Sequence, residues 1–150
     1  MISKDILRQS HLFEGLEDGQ MERIALLFEE RSWKAGEVII EEGKAGERLF
    51  IIVDGVVMIT TKLGGEMAIL KAVTTVGEVS LVDDRPTTAN VIAQTDVRAI
   101  ALSKTDFNTF LNKNREIGYI IMRNIARLLC IRFRRTQARL ETMLFISGTI

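Results

Sequence analysis

Cysteine, proline, histidine, tryptophan and tyrosine occur once each in these 150 residues, and the formal net charge is zero. Each scarcity removes a class of function. The lone Cys130 cannot close an internal disulfide, and so thiol-poor a chain fits a reducing compartment. One histidine, His11, stands near the N-terminus with no motif around it, so no His/Cys cluster for zinc exists and no metal is expected. No Walker loop is present. Zero net charge leaves no whole-molecule field to draw the chain to nucleic acid or an anionic membrane. No apolar run approaches the roughly 20 residues of a membrane span, since Arg123 and Arg127 cut the longest. Met1 to Asp5 lacks the basic-then-apolar layout of a signal peptide. A cytoplasmic protein with no membrane association is expected. The carboxylate pairs Glu29-Glu30, Glu41-Glu42 and Asp83-Asp84 are adjacent in sequence and read as solvated turns, so no catalytic residue is assigned. The chain reads as non-enzymatic.

What is present in quantity is hydrophobic residues, at 47%, and eleven glycines. That apolar supply suits one domain over residues 1–150. Met21, Ile24, Leu27 and Phe28 recur at helical spacing behind Asp18 as N-cap, predicting an opening helical segment within residues 1–30. From residue 31 to 102, glycines at 36, 43, 46, 55, 64, 65 and 77 punctuate β-rich runs: Val38–Ile40, Leu49–Val53, Val56–Thr61 and Met67–Val73. Ala89–Ala93 and Val97–Leu102 continue the series. Short, evenly spaced strands predict a mainly β chain folded as a β-roll of the jelly-roll kind. Asp54-Gly55 and Leu63-Gly64-Gly65-Glu66 are hairpin signals, and Trp33 and Phe50 are assigned to the core.

C-terminal helices are predicted over 103–145. Ser103 to Asp106 has capping-box spacing ahead of Phe107, Phe110 and Leu111. A second helical run extends from about Arg115 to about Phe145, longer than a small domain needs. Glu116, Arg123, Arg127 and Arg134 form one polar stripe, and apolar residues fill most of the remaining circumference. The surplus apolar arc predicts a homodimer through this helix, centred on Ile117, Ile121, Ile125 and Leu128.

One stretch points to a ligand. Gly77-Glu78-Val79-Ser80-Leu81 ends a strand and starts a short helical turn, whose free N–H groups can face a phosphate. Asp83 to Pro86 reads as a tight turn, followed by Thr87, Thr88 and Ala89. This segment resembles the phosphate-binding cassette of the cyclic-nucleotide-binding domain family, as in the effector domains of catabolite-activator-type regulators. Leu12 to Leu16, Lys34 to Ile39, Glu42-Gly43 and Leu49 to Ile52 with Gly55 extend the resemblance over about residues 10–145. It implies that the cassette's short helix and its arginine grip a cyclic phosphate, while Glu78 accepts from a ribose hydroxyl. Gly77, Glu78, Val79, Ser80, Thr88 and Ala89 match the pattern; Thr87 stands where the family has its arginine.

A charge-assisted hydrogen bond contributes about 1.5–3 kcal/mol, so affinity for a cyclic nucleotide is expected to fall roughly a hundredfold or more. Glu78, Asp83 and Asp84 are expected to make the local field negative. Arg85 and Arg132 are the candidate substitute cations; Arg132, Arg135 and Arg139 alternatively form a solvated end of the dimer helix. The expected function is a dimeric regulatory module with a degenerate phosphate pocket, taking a small anionic ligand or none and acting on a protein partner. The alternatives are a cAMP or cGMP receptor with a non-standard cation, and a ligand-free scaffold subunit. No cofactor is expected unless a cyclic nucleotide binds. After Phe145 only Ile146 to Ile150 follows, too short for a recognition helix, so specific DNA binding is not expected.

Overall fold

The computed structural model describes residues 2–148. Met1 and residues 149–150, which bound the N-terminal and C-terminal readings above, lie outside the described residues. The chain opens with α1 (Lys4–Arg8), a 3-10 turn at His11–Phe13 and α2 (Asp18–Ala25). Elements this short are held by packing rather than propensity, and Leu7, Phe13 and Ile24 are fully buried. Asp18 is not the N-cap. Glu17 takes that place: its side chain accepts from the Gln20 N–H, and the Gln20 side chain accepts from the Glu17 N–H at 2.9 Å. The reciprocal pair satisfies two donors at once, which a cap at 18 would not.

Two four-stranded antiparallel sheets follow. The strands are β1 (Glu29–Trp33), β2 (Val38–Ile40), β3 (Arg48–Asp54), β4 (Val56–Thr61), β5 (Gly65–Lys71), β6 (Thr74–Val76), β7 (Asn90–Ala93) and β8 (Val97–Ser103). One sheet has the order β1-β8-β3-β6 and the other β2-β7-β4-β5. The single run expected over Met67–Val73 is divided, because β5 pairs with β4 while β6 pairs with β3 in the other sheet. Strand structure also begins at Glu29, two residues before the expected boundary.

β3 and β8 carry side chains into two cores. Leu49, Ile51, Ile100 and Leu102 join the helical core, while Phe50, Ile52, Ala99 and Ala101 face the core of the sheets. Burial on both faces explains why these strands read as unbroken apolar runs. Phe50 is buried and Trp33 half-buried against it, edge to face at 5.5 Å.

After the second sheet come α4 (Lys104–Lys113) and α5 (Arg115–Ile146), with α3 (Glu78–Asp83) set between β6 and β7. The Ser103 hydroxyl caps α4 by accepting from the Asp106 N–H at 3.1 Å. Helical residues outnumber strand residues, chiefly because α5 alone has 32, so the fold is mixed α/β rather than mainly β.

α5 corrects the expected dimer seam. Ile117, Ile121 and Ile125 are buried in the protomer's own helical core, and Leu128 is half-buried. The three isoleucines pack in one core with the N-terminal helices and leave almost no surface for a second subunit, whereas Leu128 stays partly accessible. Asn124 is buried beside them, its Nδ2 donating to the Leu12 and Glu14 carbonyls at 2.9 Å each. This tether fixes the N-terminal segment to α5. Asn124→Ala removes both bonds and is expected to cost about 2 kcal/mol, or about 4–8 °C in Tm. A thermal melt that matches wild type would show that the tether carries no stability.

Candidate functional site

Backbone fit builds the site first. Gly77 ends β6 with φ +88°, and a Cβ there would lie 2.6 Å from the Arg48 carbonyl oxygen. Glycine alone fits both demands. Gly46 does the same from the other side: its Cβ would come within 2.1 Å of Ser80 Cβ, so the loop before β3 rides directly on α3. The expected single turn is a six-residue helix, closed by Asp84 in the left-handed region at φ 59°.

α3, the β4–β5–β7 sheet and α5 enclose a cavity of about 520 Å³. Gly77, Glu78, Val79, Ser80, Thr87, Thr88 and Ala89 all line it, as does Arg132. Arg85 does not; it sits on a separate surface hollow with Pro86 and Lys104. Its backbone N–H donates to the Asp83 carboxylate at 3.0 Å, which turns the loop outward.

The electrostatics differ from expectation. Glu78 is 3% exposed, and Arg132 pairs with its Oε1 while donating to the Thr75 carbonyl at 2.6 Å. Asp83 and Asp84 do not line the cavity, and Asp84 pairs with Lys104. They lie at the far end of α3, where Asp84 meets Lys104 of α4. The charged side chains on the wall are therefore Glu78 against Arg132, Arg135 and Arg139. Positive charge prevails where a negative field was expected.

Thr87 has another task. Its hydroxyl donates to the Glu41 carbonyl and accepts from the Lys44 N–H at 3.2 Å. Its backbone bonds to Lys44 and Gly43 at 2.8 and 2.9 Å. The side chain clamps the loop after β2. Glu78 Oε2, by contrast, is buried with no hydrogen-bond partner. An orphaned buried carboxylate oxygen calls for a donor.

Arg135, Thr136 and Arg139 are wall residues that the expected site omits. With Arg132 they recur at i, i+3, i+4 and i+7, one face of a helix. That spacing was the available signal, and Arg132 was its first member. His11 and Cys130 are exposed. Among the described residues no group of three or more His, Cys, Asp or Glu could hold a metal ion. No described helix is long and apolar enough to cross a membrane.

A glycine-ended strand feeding a short helix over a cavity, with a long helix across the opening, defines a ligand-binding regulatory module. Residues 30–114 match the cyclic nucleotide-binding domain, and the chain belongs to that family of non-catalytic modules. It is 28% identical over 145 residues to a CRP-like cAMP-activated global transcriptional regulator of Mycobacterium tuberculosis. That match covers 94% of this chain, which spans 63% of the relative's length. The N-terminal domain of a transcriptional regulator from Streptomyces coelicolor superposes with a TM-score of 0.72 at 31% identity, covering 91% of this chain and 95% of that one. The catabolite activator protein of Thermus thermophilus gives 0.76 at 28% identity, covering 91% and 64%.

Proposed function

We propose that the chain acts as one cytoplasmic regulatory domain over residues 1–150, its two sheets forming a jelly roll, with a degenerate cyclic-nucleotide pocket. The observation that carries this reading is the commitment of Thr87 to the loop at 41–44, while Glu78, on the wall of the same cavity, keeps a buried Oε2 without a hydrogen-bond partner. The cassette has kept its shape and lost its cation. cAMP and cGMP then bind at high micromolar affinity or weaker, on the order of a hundredfold below a cassette with its arginine. Titration calorimetry tests this, with Glu78→Gln abolishing whatever binding remains. Sub-micromolar cAMP binding by the wild type would sink the reading. One observation favours a second reading, a receptor with a non-standard cation: Arg132 reaches the cavity, although Glu78 already engages it.

The module works as a homodimer through α5, on a seam rotated from the buried isoleucines. Tyr119, Met122, Ala126, Leu129, Phe133, Thr136, Leu140 and Met143 alternate in steps of three and four, the spacing of a two-helix seam. Tyr119, Phe133, Leu140 and Met143 are each more than half exposed, which supports that face. Ligand binding would alter the relation of the sheets to α5 and so act on a protein partner. Arg123, Arg127 and Arg134 are read as solvated side chains of this helix rather than a DNA-reading surface. Phe133→Glu is expected to give monomers by sedimentation, and an intact dimer would exclude this seam.

A further inference from the structure

We infer that the anion-binding end of the cavity is the Arg135–Arg139 face of α5 rather than the cassette, and that it takes an acyclic phosphate monoester whose sugar hydroxyl reaches Glu78. This rests on the reading of the cavity as a ligand site. Four charged side chains line it, and Glu78 with Arg132 make one neutral pair. Arg135 and Arg139 are left uncompensated. Arg139 donates from Nη1 to the Met67 carbonyl at 2.6 Å, which aims it at the cavity rim and leaves most of its five donors unused. Arg135 makes no hydrogen bond or ion pair among the described residues and is exposed at the same wall.

The ligand's charge follows from these positions. A cyclic phosphodiester carries one negative charge, whereas a phosphate monoester carries about −1.5 to −2 near pH 7, a match for two guanidinium groups. Along α5 the rise of 1.5 Å per residue sets Arg135 about 4.5 Å and Arg139 about 10 Å beyond Arg132. A phosphate on a flexible ester arm can turn towards these two side chains from a sugar at Glu78; a phosphate fused into the sugar's own ring has no such freedom. The buried, unpartnered Glu78 Oε2 supplies the acceptor for the sugar hydroxyl. Ile59, Ile69, Leu70 and Val91 offer an apolar wall for a planar base.

Adenosine 5′-monophosphate is the probe, with cAMP as comparator, titrated into the full chain by calorimetry. AMP is expected to bind at least tenfold more tightly than cAMP. Arg135→Gln and Arg139→Gln are each expected to weaken AMP about tenfold and cAMP less than twofold. Arg135 has no structural partner, so its variant keeps the test valid even if Arg139→Gln loosens the rim, and melting curves identify that case. cAMP binding as tight as AMP, or AMP binding unmoved by Arg135→Gln, overturns the inference while leaving the cavity as a ligand site. Failure of both nucleotides to bind wild type and Thr87→Arg overturns the cavity reading and this inference with it.

Discussion

Thr87→Arg is expected to tighten cAMP binding by ten- to a hundredfold over wild type. The new guanidinium enters a cassette that already presents Gly77, Glu78 and Ser80 to the cavity. A charge-assisted bond to the phosphate is worth about 1.5–3 kcal/mol, which sets the range. The gain comes from the phosphate alone, since Arg132 already neutralises Glu78. Part of it is offset by losing the clamp on Glu41 and Lys44. Added salt should reduce the gain only modestly if the ligand is enclosed between α3 and α5. Calorimetry on both proteins decides the matter. An unchanged dissociation constant would mean that the missing arginine is not what limits affinity.

Gly55→Val is expected to be strongly destabilising although it lies outside the cavity. Gly55 turns the β3–β4 hairpin with φ +101°, and its Cβ would lie 2.4 Å from the Asp96 carbonyl oxygen and 3.0 Å from Thr95 Oγ1. Left-handed backbone and a clash with main chain act together, for an expected loss of at least about 3 kcal/mol. That is a fall of at least about 6 °C in Tm. Gly43→Ala separates the two effects: φ is +82° but a Cβ there meets open space. It should cost only about 1–2 kcal/mol. Equal losses in the two variants would show that the steric contact at Asp96 is relieved by a small loop movement.

Those hairpins are legible in the sequence because their information is local. Asp54-Gly55 needs one residue with positive φ, and glycine announces it. The two-faced β3 and β8 are equally plain, since burial on both sides demands continuous apolar residues. β1 is hidden for the opposite reason. Glu-Glu-Arg-Ser-Trp lies at a sheet edge with four of its five residues exposed, so no alternation marks it. Charged side chains there are what keep an edge from pairing with another chain.

The site divides in the same way. The cassette from Gly77 to Ala89 is contiguous and can be read from its spacing. Its electrostatics depend on α5, more than fifty residues away, where Arg132 meets Glu78. Asp83 and Asp84 looked like part of the pocket because they are close in sequence, yet α3 carries them out of it. On α5 the apolar arc is broad enough to serve two surfaces, and periodicity does not say which is inward. The bond from Asn124 to Leu12 and Glu14 settles that side.

The sheet containing β3 and β8 is a party wall, with the helical core on one side and the sheet core on the other. Neither core can melt without stripping cover from strands that the other needs. Such sharing favours a single cooperative transition, with no intermediate that keeps one core and loses the other. Free energy gained at the cavity is then felt by the molecule as a unit. A ligand touching only α3, the second sheet and α5 raises the melting temperature of α1 and α2 as well, which do not line its cavity.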